Sequence, residues 1–168
     1  MENGYVPSGP YVIKSGKRKG KSLENLMFDD FLFLRWFLDV LNKKHQGGQK
    51  NEMHRHLEWL MHQGTNRKPV MLCPQCGQRP VTRFSMIRYS SGISIGTIYT
   101  CCDNDHCKDE IDAMAISHTY QLYPFSFAVL KTINVKFDCK ELTDLFRKAF
   151  GLEGRLTKEK AFAFFAKD

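Results

Sequence analysis

Two short stretches decide the fold: residues 73–77 read Cys-Pro-Gln-Cys-Gly, and residues 99–107 read Tyr-Thr-Cys-Cys-Asp-Asn-Asp-His-Cys. Two cysteines separated by two residues can bind one metal ion from a tight turn. Gly77 allows the backbone to bend there, so that its amide groups approach the sulfur atoms. Zinc prefers four such donors arranged as a tetrahedron. We therefore predict that the second stretch supplies the other two ligands.

The preferred ligand assignment gives a C-x2-C pair, a 25-residue excursion and a C-x4-C pair. Two positions stay open, because Cys101 competes with Cys102 and His106 competes with Cys107. With so many donors nearby, a closed structural site is favoured over a catalytic zinc, which needs an open coordination position. One structural Zn²⁺ is therefore predicted, and its preferred ligands are Cys73, Cys76, Cys102 and Cys107.

The segment between the two cysteine pairs favours a β-hairpin that carries the chain out and back. Residues 81–89 and 93–100 are rich in β-forming side chains, and Ser-Ser-Gly at 90–92 is a turn sequence between them. A short hairpin cannot build a hydrophobic core alone. We expect the metal to replace that core.

These residues resemble the zinc-ribbon family and, more loosely, the zinc-binding domain of phage late-gene activators of the Ogr/Delta type. That pattern has C-x2-C, a somewhat shorter excursion and C-x4-C, and Cys101 has no counterpart in it. The resemblance covers residues 73–107. Zinc ribbons bind DNA, RNA or proteins, so the resemblance implies a fold and leaves the partner open. If the DNA-binding use applies here, Arg83 and Arg88 on the hairpin are expected to contact phosphates.

A cationic stretch precedes the cysteines: residues 14–21 carry five basic side chains and no acidic one. This pattern fits a clamp for a phosphate backbone, although an ordinary solvated turn has the same composition. Residues 11–43 resemble the small C-terminal domain of exodeoxyribonuclease X. The resemblance rests on the glycine- and lysine-rich stretch over 13–23 and on the helix with Trp36 that follows it. The resemblance implies an accessory module of nucleic-acid enzymes. The predicted phosphate contacts are Lys17, Arg18, Lys19 and Lys21.

Apolar residues at helical spacing predict helices on both sides of the cysteine segment. The predicted class is therefore α+β: a helical N-terminal module with a basic turn, a central zinc-ribbon hairpin and a helical C-terminal segment. The predicted helices begin at or after Ser22, Asp29 or Asp30, Asn51, Glu110, Asp138 and Thr157. Gly64 is expected to end the third. The predicted organisation is a flexible tail over 1–10, the basic-turn module over 11–66, the ribbon over 70–110 and the C-terminal segment over 111–168.

Several side chains in these helices carry expectations of their own. Leu32, Phe33 and Trp36 widen an apolar stripe, which indicates a helix buried on more than one side. His54 and His56 are separated by two residues and should lie on a solvated helical face. Four phenylalanines favour core over a partner groove: Phe146, Phe150, Phe162 and Phe165.

Composition narrows the function classes. The chain has 168 residues and a net charge of +7, of which +5 lies in residues 1–72. A secretory signal, a membrane-length apolar run and a recognisable catalytic motif are all missing from the sequence, which favours a cytoplasmic, non-enzymatic protein. The predicted function is nucleic-acid binding, with DNA as the expected partner, as a regulator or an accessory subunit. The alternative is a protein-interaction adaptor that uses the ribbon edge or the phenylalanine-rich helices.

Overall fold

The computed structural model describes residues 5–45, 48–88, 95–114, 121–131 and 139–167. Within these ranges the chain forms α-helices and a small antiparallel sheet, which confirms the mixed α+β class. The helices are α1 (Leu23–Asp29), α2 (Phe31–Lys44), α3 (Glu52–Asn66), α4 (Asp105–Met114), α5 (Cys139–Ala149) and α6 (Lys158–Ala166). The strands are β1 (Arg83–Arg88), β2 (Ile95–Cys101) and β3 (Leu122–Pro124), and a 3₁₀ helix spans Phe127–Lys131.

Side-chain caps begin three of these helices where the sequence suggested. The hydroxyl of Ser22 accepts a hydrogen bond from the Asn25 amide, and Thr157 Oγ1 accepts one from the Lys160 amide. Asn51 Oδ1 accepts from the His54 amide in the same way. Each cap satisfies an amide that the first helical turn leaves without a partner.

The sheet has the strand order β2-β1-β3, so β1 is central. The predicted hairpin is present: β1 pairs antiparallel with β2, with Arg83 opposite Cys101. Its turn at 90–92 lies outside the described residues. Strand β3 pairs antiparallel with the other edge of β1, where Phe84 lies opposite Tyr123. The sequence predicts no strand at this position.

A phenylalanine-rich core joins the sheet to the helices. Phe127 lies at its centre, with ring centroids 5.4 Å from Phe28, 5.4 Å from Phe146 and 5.1 Å from Phe150. Phe84 from β1 is fully buried and reaches the Phe146 ring at 5.8 Å. The core therefore draws on all three sequence segments, and the ribbon strand packs directly on the helical part.

The core interpretation of the C-terminal phenylalanines is confirmed for Phe146, Phe150 and Phe165, which are all at most 4% exposed. Phe162 is half-buried. Of these four phenylalanines, Phe162 is therefore the most accessible to a partner.

Helix α2 is more exposed than its sequence suggested. Trp36 is 59% exposed and Leu32 is 39% exposed, so the expectation that both lie in the interior was wrong. The helix packs against α1, α3 and the 3₁₀ helix, and it buries Phe31, Leu34 and Leu41. Its described neighbours cover one side only, which leaves the wider stripe in solvent.

The two histidines of α3 are buried, contrary to the solvated face predicted for them. Both are 1% exposed. His54 Nε2 lies 2.8 Å from Asn42 Oδ1, and His56 Nε2 lies 2.6 Å from Glu24 Oε1. Hydrogen-bonding partners on α1 and α2 compensate the burial of these polar rings. Helical spacing does not reveal such partners.

Gly64 lies inside α3, which continues to Asn66, so the prediction that it ends the helix was wrong. Its site has no room for a side chain: an added Cβ would lie 3.0 Å from Met27 Cε and 3.2 Å from Phe127 Cγ. The glycine thus permits close packing of α3 on α1 and the 3₁₀ helix.

We expect Gly64→Ala to lower the free energy of unfolding by up to about 2 kcal/mol. Overpacking a core costs about 1–3 kcal/mol, and alanine regains roughly 1 kcal/mol of this through its higher helix propensity. Urea unfolding measures the change. An equally or more stable variant would show that the neighbouring ring can move aside.

Candidate metal centre

Four thiols converge at one end of the sheet. The Sγ atoms of Cys73, Cys76, Cys102 and Cys107 all lie within 4.8 Å of one another. The Cys76 and Cys102 sulfurs are 3.8 Å apart. Sulfurs bound to one tetrahedral zinc at about 2.3 Å are separated by about 3.8 Å. The cluster therefore has the donors and the spacing to hold one metal ion.

The first two ligands lie on a tight knuckle between α3 and β1. The Cys73 amide donates to the Arg79 carbonyl at 2.7 Å, and the Gly77 amide donates to the Cys73 carbonyl at 2.8 Å. Gly77 has a φ of +64°, a backbone conformation that side chains disfavour. This bend turns the amides of Gln78 and Arg79 toward Cys76 Sγ.

The second two ligands lie where β2 gives way to α4. Cys102 directly follows the strand, and its amide lies 3.4 Å from Cys73 Sγ. Cys107 lies in the first turn of α4. Asn104 caps that helix, because its Oδ1 accepts from the His106 amide and its carbonyl accepts from the Lys108 amide. Cys107 therefore lies at the positive end of the helix dipole, which favours the thiolate form that metal binding requires.

The structure also places the two competing donors. Cys101 is the last residue of β2; it is fully buried and does not belong to the four-thiol group. Successive strand residues point to opposite faces, so the cluster can receive Cys102 or Cys101 but not both. His106 is exposed and likewise does not belong to the group. The geometry thus brings together the four cysteines that the sequence favoured.

Two thiols of this cluster, Cys76 and Cys107, differ strongly in pKa. Hydrogen bonds from the amides of Gln78 and Arg79 lower the pKa of Cys76 to about 6. Burial and contacts with the neighbouring sulfurs raise the pKa of Cys107 to about 12. Burial likewise raises the pKa of Cys101 to about 11, which keeps that thiol protonated.

A bound divalent cation would relieve the electrostatic repulsion among these sulfur atoms. Without one, thiolates crowded in a buried space repel one another. A bound cation stabilises the thiolate forms and releases their protons. Cys73, Cys102 and Cys107 are at most 1% exposed, so the protein shields three of the four sulfurs from solvent. All four are free thiols in this structure. The residues fit a closed structural metal site.

Arginines predicted to bind phosphate are already engaged within the protein. Arg18 Nε donates to Asp30 Oδ2 at 2.9 Å, and the guanidinium lies 4.9 Å from the centre of the Phe33 ring. Arg83 Nε donates to Asp103 Oδ1 at 2.8 Å. Arg83 therefore braces the start of β1 against the loop that follows Cys102. The side chain of Arg88 lies outside the described part of the protein.

The lysines of the basic turn are differently placed. Lys14, Lys17, Lys19 and Lys21 are all exposed, and none forms an ion pair with an acidic group of the described residues. The structure leaves these ammonium groups available to an external anion.

One surface feature was missed by sequence reasoning. Trp36 extends an apolar stripe, which predicts a buried side chain, yet its indole ring is mostly in solvent. Asp39 and Lys43, three and seven positions further along α2, lie on the same side of the helix and are signals that this side is polar.

The chain matches no protein-family model, no curated protein and no solved structure. Among the described residues, no helix combines the length and apolar character needed to span a membrane.

Proposed function

We propose that this protein is a non-enzymatic nucleic-acid-binding protein whose ribbon is stabilised by one Zn²⁺ ion. DNA is the expected partner, and the role is that of a regulator or an accessory subunit of a nucleic-acid-processing complex. The supporting observation is the set of four exposed lysines at the basic turn, which have no acidic partner among the described residues.

The basic turn holds its lysines in a defined arrangement. The Ile13 amide donates to the Lys21 carbonyl, and the Gly20 amide donates to the Ile13 carbonyl, both at 2.9 Å. Gly16 and Gly20 have φ values of +81° and +84°, which suit the reversal of the chain. A turn closed by hydrogen bonds loses less entropy on binding than a mobile tail, so it favours phosphate recognition.

The donor set favours zinc as the metal. Four thiolates in a tetrahedral arrangement select zinc or iron among the common metals, and structural zinc sites are closed in this way. The resemblance of residues 73–107 to zinc ribbons supports zinc. The ion would fix the knuckle to the end of β2 and the start of α4, and elemental analysis of the purified protein distinguishes zinc from iron.

The salt dependence of binding tests the phosphate contacts. Each phosphate neutralised by a lysine contributes about −0.7 to −0.9 to the slope of log K against log salt. Lys17→Gln/Lys19→Gln should therefore reduce the magnitude of the slope by about 1.4–1.8. Fluorescence anisotropy with labelled DNA over a salt series measures it.

The matched control is Lys140→Gln/Lys148→Gln on α5, which removes two exposed lysines elsewhere. This variant should keep the wild-type slope. Equal slopes for the two variants would attribute binding to overall charge and contradict a specific role for the turn. Failure of the wild-type protein to bind single-stranded or duplex DNA at low salt would overturn the proposed function.

A second candidate function is that of a protein-interaction adaptor. Val70 and Leu72, which precede the metal knuckle, are 64% and 54% exposed. Apolar side chains next to a rigid turn suit a protein contact. Protein without measurable affinity for nucleic acid would favour this candidate.

A further inference from the structure

An aromatic surface lies on α2, formed by Phe33, Trp36 and Phe37. The rings of Phe33 and Phe37 are stacked, with centroids 5.5 Å apart and planes inclined by 13°. Trp36 lies 6.0 Å from Phe33 and 6.5 Å from Phe37. The two phenylalanines are half-buried, and the indole of Trp36 is 59% exposed. Its half-buried neighbours support the indole from the side of the protein.

Arg18 connects this aromatic surface to the basic turn. Its guanidinium lies over the Phe33 ring and is held in place by Asp30. The flanking Lys17 and Lys19 extend into solvent. The Arg18 guanidinium contacts the Phe33 ring, and the Phe33 ring contacts the Trp36 ring. A single aromatic ring therefore separates Arg18 from Trp36. Exposed ammonium groups and an exposed indole thus lie on adjoining surfaces.

We propose that the aromatic surface and the basic turn together bind single-stranded nucleic acid. One base stacks on the indole of Trp36, and neighbouring phosphates contact Lys17 and Lys19. This inference rests on the proposed nucleic-acid-binding function and deepens it by naming the strand form.

The chemistry of the two surfaces favours a single strand over a duplex. Base faces are accessible to a side chain only where the bases are unpaired, and aromatic rings next to a positive surface are typical of single-strand binding. Duplex DNA presents its phosphates but not its base faces, so Trp36 would have nothing to stack on. The adjacent lysines also supply the charge complementarity that a nucleic acid requires.

The test compares an oligothymidine of about 12 nucleotides, within the site sizes known for single-strand binders, with an abasic strand of equal length. The abasic strand keeps the phosphates and lacks the bases. Trp36→Ala should weaken binding to oligothymidine by at least about 5-fold, the lower limit for losing one stacked base. Binding to the abasic strand should stay unchanged. Trp36→Phe should restore most of the affinity, because a ring remains.

Leu32→Ala is the matched control, since Leu32 is an exposed apolar residue of the same helix without a ring. It should leave both affinities within about twofold of wild type, because its loss removes apolar area but no stacking surface. Circular dichroism of each variant confirms that α2 is intact. An equal loss for Trp36→Ala on both strands would overturn the stacking role.

Two outcomes separate this inference from the proposed function. If Lys17→Gln/Lys19→Gln weakens binding and Trp36→Ala does not, the single-strand inference fails and the nucleic-acid-binding function stands. If the wild-type protein binds neither strand nor duplex, both fail. Sedimentation of wild type and Trp36→Ala gives a further check, because a dimer that Trp36→Ala dissociates would assign this surface to a second copy of the chain.

Discussion

Replacing Cys107 by serine is expected to unfold the ribbon and release the metal. Serine is a poor ligand for zinc, and a structural zinc site contributes about 10–16 kcal/mol of apparent binding free energy in small zinc-binding peptides. That exceeds or matches the total stability of most domains, about 5–15 kcal/mol. Because Phe84 from β1 packs into the shared core, loss of the ribbon should also open the helical part. We expect a loss of at least about 5 kcal/mol in the free energy of unfolding.

Elemental analysis and thermal unfolding measure the two consequences separately. Wild-type protein should contain about one zinc per chain, as one four-thiolate site binds one ion. Cys107→Ser should contain far less and should melt at a lower temperature. Addition of a strong chelator to the wild type should reproduce the lower melting temperature.

Cys101→Ala is the matched control for the metal site. Cys101 is as buried as Cys73, Cys102 and Cys107, but its sulfur does not belong to the four-thiol group. This variant should keep one zinc per chain, at a cost limited to the lost packing. Loss of metal in Cys101→Ala, together with retention in Cys102→Ala, would reverse the ligand assignment.

The sequence was most informative where chemistry restricts spacing. Two cysteine pairs can bind one ion only if the chain between them folds back on itself. The pairs that begin at Cys73 and end at Cys107 therefore predicted the hairpin. The sequence did not reveal that α4 begins at Asp105 and carries Cys107 on its first turn. The helix predicted over 110–120 was based on apolar spacing alone. A cap such as Asn104 is readable only once the end of the preceding strand is known.

Burial was harder to predict than secondary structure. Trp36 is exposed although its sequence pattern predicts burial, and His56 is buried although its pattern predicts exposure. The helical pattern shows which residues share a face of the helix, but not which neighbouring element covers that face. Glu24 lies 32 positions from His56 in the sequence, and only the packing of α1 on α3 brings them together. Long-range polar partners of this kind leave no local signal.

The contact between Glu24 and His56 is expected to be the largest polar contribution to the stability of the N-terminal part. Both side chains are at most 2% exposed, and Glu24 Oε1 also accepts from the Tyr11 amide at 3.1 Å. His56 Nδ1 lies 3.2 Å from the hydroxyl of Tyr5. A neutral imidazole with its proton on Nε2 satisfies both contacts, donating to Glu24 and accepting from Tyr5.

We expect His56→Leu to lower the free energy of unfolding by about 3–5 kcal/mol, because it leaves the Glu24 carboxyl group buried without its main partner. Glu24→Gln should cost less, about 1–3 kcal/mol, since the amide oxygen still accepts hydrogen bonds. Urea unfolding followed by circular dichroism measures both. His62→Leu, an exposed position on the same helix, should change stability by no more than about 0.5 kcal/mol.

The double variant Glu24→Leu/His56→Leu separates the pair from its surroundings. Removing both polar groups leaves no uncompensated carboxyl group, so the double variant should lose less stability than the two single leucine variants added together. Part of the loss will remain, because the Tyr11 amide keeps no acceptor in place of Glu24 and an unsatisfied buried donor costs about 1–3 kcal/mol. Strict additivity of Glu24→Leu and His56→Leu would show that the two side chains stabilise the protein independently, which contradicts a direct pair at 2.6 Å.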